Sequence, residues 1–170
     1  MKIKKFVFPL LLLFCLAGYG QTKDEIINNI RTDFQSINRD TTLKKILVED
    51  EDFMEQATDG GGELTGYFKN KSLVKIVEWI GLSFGNRTRE FYLKENKLFF
   101  VYEKFQFFLE TDSGLNHEKF GSWCEARYYF NNEKLISKKI TGKYKIADAP
   151  SAAELLTQKK DYLKLLNKKK

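Results

Sequence analysis

Cysteine and histidine are almost missing from this chain: 170 residues hold two cysteines and one histidine. Cys15 falls inside an N-terminal leader, so the processed chain keeps Cys124 alone and an intramolecular disulfide is excluded. Cys124 adjoins Trp123 and a strand-like run from Ala126, which points to a buried thiol. An activated thiolate would need a cationic or basic neighbour, and His117 lies seven residues upstream in a polar stretch. A single histidine also leaves a Ser-His-Asp arrangement without support. His117 with Asp112 and Glu118 makes a poor ligand set, so no metal is expected there. The acidic run Glu49-Asp50-Glu51-Asp52 lacks the alternating oxygens and following glycine of a calcium loop. Asp59-Gly60-Gly61-Gly62 lacks the lysine and helix start of a phosphate loop. No cofactor is expected.

Long apolar runs are absent too. The longest, Phe6 to Leu16, has eleven residues, against roughly 20 for a membrane-spanning helix. Lys2, Lys4 and Lys5 precede it, and Ala17, Gly18 and Gly20 follow. That order is a secretion signal over residues 1–20 with cleavage after Gly20. It predicts an exported protein, periplasmic or extracellular, with Gln21 first and no transmembrane segment in the mature chain. Phe14 before Cys15 is too bulky for a lipid-attachment site, so a lipid anchor through Cys15 is the lesser reading. Cleavage removes three of the lysines behind the formal charge of +6. From Lys134 onward eleven lysines oppose three acids, whereas residues 21–133 carry fifteen basic and twenty acidic side chains. The basic tail reads as the solvated face of a terminal helix, and export makes nucleic acid a poor partner.

Residues 21–170 read as a single α+β domain. Thr22-x-x-Glu25 and Ser151-x-x-Glu154 are capping boxes, in which each side chain satisfies an amide of the first turn. Ile26, Ile27, Ile30, Phe34 and Ile37 give the first helix its apolar stripe, over about residues 23–37. Leu155, Leu156, Tyr162, Leu163 and Leu166 do the same for the second, whose terminal lysines complement the helix dipole. Between them one pattern occurs three times. Tyr67-Phe68, Tyr92-Leu93 and Tyr129-Phe130 are each followed by four polar residues and then Leu73, Leu98 or Leu135. This is a β-hairpin written three times, predicting a curved antiparallel meander of about six strands flanked by the two helices. The polar stretch from Glu110 to Ser122 is expected as a loop inserted between the second and third hairpins.

Both faces of the strands carry apolar groups, as in Leu98-Phe99-Phe100-Val101-Tyr102. One face can pack both helices; the aromatics of the other are then either covered by the acidic segment and the inserted loop or left as a binding surface. Trp79, Tyr102 and Trp123 are the candidate ligand-binding residues. Glu78 and Glu103 share a repeat position, and in a meander one strand separates them, or roughly 9–10 Å. An inverting glycosidase holds its carboxylates roughly 6.5–9.5 Å apart, so Glu78 and Glu103 are the alternative catalytic pair. Glu90 and Arg127 share another repeat position and are expected to form a cross-strand ion pair.

The segments Gly61–Phe68, Val74–Trp79 and Leu98–Lys104 resemble an uncharacterised family of small exported bacterial proteins with repeated β-hairpins. That resemblance implies export and brings no activity or catalytic residues. The expected function is a non-catalytic binding or envelope-associated protein for a protein or glycan. The alternative is a glycan-acting hydrolase using Glu78 and Glu103.

Overall fold

A computed structural model describes residues 21–54, 56–142 and 149–170. The secretion signal and Cys15 lie outside the described residues. Helix α1 (Lys23–Arg39) leads into β1 (Lys44–Glu49), the short α2 (Asp50–Phe53), and strands β2 (Gly62–Lys69), β3 (Ser72–Leu82), β4 (Gly85–Lys94), β5 (Lys97–Thr111), β6 (Gly114–Asn131) and β7 (Lys134–Gly142); α3 (Ala152–Lys168) follows. The strands form one open antiparallel sheet in the order β1 to β7. The sheet has seven strands, not six, because Lys44–Glu49 pairs with β2 along one edge. Among the described residues no helix is long and apolar enough to cross a membrane.

The three hairpins repeat in geometry as they do in sequence. Each closes with a two-residue turn in which both residues have positive φ: Asn70 and Lys71, Glu95 and Asn96, Asn132 and Glu133. That is the type I′ geometry, whose twist matches the right-handed twist of the strands it joins. A bulge sits at the same place in each repeat. Tyr67, Tyr92 and Tyr129 pair with Lys75, Phe100 and Ser137, while the next residues, Phe68, Leu93 and Phe130, pair with Leu73, Leu98 and Leu135. Val74, Phe99 and Ile136 are the extra residues, and they interrupt the period-two alternation.

Both faces of the sheet are packed, one helix to each, so the two helices do not share a face. On the first, Ile30 of α1 is buried against Tyr92, Phe100 and Tyr129, with Ile26, Ile27, Phe34 and Ile37 beside it. Phe34 meets Tyr92 and Phe100 edge-on, with ring centroids 5.0 and 5.3 Å apart. On the second, Leu155, Tyr162 and Leu166 of α3 pack on Phe68, Ile76, Phe91, Leu93, Val101, Tyr128 and Phe130. Gly66 is fixed by this contact, since a Cβ there would meet Leu166 at 2.8 Å. Each fully buried aliphatic or aromatic side chain contributes roughly 1.5–3 kcal/mol, so the helices bind the sheet through their stripes. Both capping boxes form as expected, Thr22 with Glu25 and Ser151 with Glu154.

The stretch from Glu110 to Ser122 is not a loop. β5 and β6 continue as a ribbon to a turn between Thr111 and Gly114. β4 reaches only Phe107 of β5, and β7 reaches only Cys124 of β6. Among the described residues, the ribbon beyond those points therefore has no strand on either side. It stays extended because alternating residues such as Phe108 and Phe120 stack across it, 5.5 Å apart.

Candidate binding face

Helix α1 lies over the end of the sheet that carries the type I′ turns, and no described residue covers the other end of the same face. Residues paired across antiparallel strands point to the same side. The row Trp79–Thr88–Lys104–Glu125 therefore shares a face with the row Glu90–Tyr102–Arg127, two residues away. Trp123, paired with Gln106, continues it. Phe108 follows two residues beyond Gln106, paired with Phe120. All three sequence candidates, Trp79, Tyr102 and Trp123, thus stand on the α1 face. Trp123 is 47% exposed and Phe120 is likewise 47% exposed. Trp79, Tyr102, Lys104 and Arg127 are half-buried.

Tyr102 is the best-anchored of the three. The Arg127 guanidinium lies 5.3 Å from its ring centroid. Arg127 in turn donates to Glu125 at 2.5 Å, along its own strand. Burial, and then the Glu125 carboxylate bonded to it, push the Tyr102 phenol well above the ordinary tyrosine range. The expected pairing of Glu90 with Arg127 does not occur, because Tyr102 stands between them in the row. Glu90 pairs instead with Lys75 at 3.1 Å and accepts from the Tyr92 hydroxyl. Tyr102 also floors a cleft of about 400 Å³ beneath the edge of α1, with Phe34, Phe100 and Tyr129, whose rim carries Arg31, Gln35 and Arg127. Neither the cleft nor the ribbon was legible in the sequence, although the pleat period already placed Tyr102 and Phe108 on one side.

Glu78 and Glu103 lie on the other face, beneath α3. As expected, one strand separates them, and that strand supplies Arg89 between them in register. Arg89 Nε donates to Glu103 Oε2 at 2.5 Å, and Arg89 Nη1 is 4.0 Å from Glu78. Arg87 reaches Glu78 at 3.2 Å. From α3, Tyr162 and Gln158 donate to Glu78 Oε1 at 2.5 and 2.9 Å, and Gln158 accepts from Arg89 at 2.6 Å. Both carboxylates are buried. A hydrolase pair keeps that interval for the scissile bond and a water; here a guanidinium fills it. Trp79 does not join the two glutamates, since its side chain belongs to the α1 face. The missed residue is Arg89, and antiparallel register between Glu78 and Glu103 was the signal that could have found it.

Cys124 is buried on the α3 face, and burial, then the nearby Glu103 charge, push its thiol up. That direction disfavours the thiolate, the nucleophilic form of the group. His117 meets the Phe108 ring edge-on at 4.8 Å on the projecting ribbon. No family model, curated protein or solved structure matches the chain, so any functional reading rests on the geometry of this open aromatic face.

Proposed function

We propose that the protein is exported and acts as a non-catalytic binding protein of the cell envelope or exterior, holding a protein or glycan on the uncovered part of its α1 face. The observation that carries this is the convergence of Trp79, Tyr102 and Trp123 on one face that α1 leaves open. Trp123 and Phe120, the exposed rings of this face, leave apolar surface in water at a cost in hydrophobic free energy that burial in a partner recovers. The buried acidic pair supports the same reading, because Glu78 and Glu103 are committed to Arg89 and to the docking of α3.

The test is affinity capture from envelope extract with the wild-type protein and with Tyr102→Ala or Trp123→Ala. The wild type should recover a partner that both variants lose while keeping their far-UV circular dichroism. Equal recovery by the folded variants would remove the face from the assignment.

A further inference from the structure

Resting on export with cleavage after Gly20, we infer that Gln21 is a modification site. The new N-terminal glutamine closes to pyroglutamate, and the ring completes the cap of α1. Cleavage puts a free α-amine and a carboxamide on one residue. A free α-amine titrates near pH about 7.7–8.0, so part of it is an uncharged nucleophile at neutral pH. It attacks Cδ of its own carboxamide. The N–Cδ bond forms, the Cδ–Nε2 bond breaks, and one amine proton leaves with the amide nitrogen as ammonia. No oxidant or second substrate enters.

Gln21 is free to do this. It is exposed and stands just outside the helix, and its side chain bonds to no described residue. The hydrogen bonds of the cap begin one residue later. Thr22, the N-cap, donates its amide to Glu25 Oε2 at 2.8 Å, and its hydroxyl accepts from the Glu25 amide at 3.3 Å. Its carbonyl accepts from the Ile26 amide at 3.1 Å. None of these bonds uses the amine or the carboxamide of Gln21, so ring closure disturbs none of them.

Ring closure also supplies what the cap lacks. In a hydrophobic staple, the residue before the N-cap packs against the fourth residue of the helix. Here those two are Gln21 and Ile26, and both line one cleft with Ile30, Leu98 and Phe99. An ammonium and a carboxamide cannot give up water for that apolar floor without cost, whereas the ring is uncharged and mostly carbon. The second capping box already has such a ring. Pro150 precedes Ser151 there, and Leu155 is the matching helical residue, fully buried. Pyroglutamate is proline with an oxo group on Cδ. Cyclised Gln21 gives Thr22-x-x-Glu25-Ile26 the ring that Pro150 gives Ser151-x-x-Glu154-Leu155.

The test uses the full chain, exported by a bacterial host, purified and held at neutral pH. Peptide mass spectrometry should find an N-terminal peptide that starts at Gln21 and is one ammonia lighter than its sequence. Gln21→Ala should be cleaved at the same bond and show no such loss. Hydrogen exchange then compares the cyclised protein with Gln21→Ala, which keeps its charged amine. The amides of Thr22, Glu25 and Ile26 should be about fourfold better protected in the cyclised protein, the order of one methylene group removed from water. A free amine on Gln21 that persists on standing would overturn the modification and leave export intact. Equal protection of those three amides would overturn the staple. A chain that keeps residues 1–20 would overturn export itself, and this terminus with it.

Discussion

Arg89 shows what one buried charge does in this fold. Its guanidinium sits between two carboxylates that water cannot reach, and α3 contributes an amide and a phenol to the same cluster. Replacing it as Arg89→Met leaves Glu78 and Glu103 buried with less compensation, and the expected loss is about 3–5 kcal/mol. Urea unfolding measures it, and a loss below about 1 kcal/mol would mean that the network relaxes into solvent. Tyr92 and Tyr162 make a second prediction at this scale. Burial, and then the charges of Glu90 and Glu78 respectively, hold both phenols well above the ordinary tyrosine range. The native state therefore keeps protons that the unfolded chain releases near pH about 10. Stability is whole below that value and declines as pH rises above it. Tyrosinate absorbance from these residues should appear together with the loss of near-ultraviolet circular dichroism, and not before it.

The elements are set by their ends. Each hairpin turn demands two residues at positive φ, and the chain meets that demand with asparagine, lysine and glutamate where glycine would serve at lower cost. Lys71→Gly, giving Asn-Gly at the first turn, should raise stability by about 0.5 kcal/mol, the left-handed penalty relieved less glycine's added chain entropy. Lys71→Val should lower it, and thermal melts of the pair decide the sign. Helix α3 is held to the sheet partly by carboxylates. Lys159 donates to Glu133 at 2.7 Å and to the Asn96 carbonyl at 3.1 Å, which ties the helix to the second and third hairpin turns. The Glu133 carboxyl is lowered mainly by that lysine, and Glu154 by the Ser151 amide it caps. Lowered carboxyls stabilise above the unfolded glutamate value of about 4.3 and lose their contribution as pH falls through the folded ones. Amide protection in α3, taken relative to the intrinsic exchange rate at each pH, should therefore fall on acidification, and Glu133→Gln should remove part of that pH dependence.

At the scale of the whole molecule, each face of the sheet has one helix, but the faces are finished differently. The α3 face places charged side chains beneath its helix and closes over them. Among the described residues the α1 face is covered only toward the type I′ turns, and its aromatic row runs on toward the projecting β5–β6 ribbon. Export is testable at this scale as well. Expression in a bacterial host with an intact secretion route should yield a mature species whose mass begins at Gln21, carrying no lipid. A mass that retains residues 1–20 would refute the leader.

By itself the sequence determined the elements that depend on local chemistry. Both caps, both helix stripes and all three turns could be read from short-range spacing, because a capping box, a 3.6-residue stripe and a polar turn each act within a few neighbours. The tertiary structure alone decided which helix covers which face, since both stripes are apolar and neither names its partner. It decided that residues Glu110 to Ser122 extend a hairpin, because polar ribbon and polar loop read alike until the strands pair. It also decided the fate of the two repeated glutamates. Their shared position follows from the repeat, but only the register of β4 brings Arg89 between them. The same register gathers Trp79, Tyr102 and Trp123, which lie far apart in the chain, onto one open face.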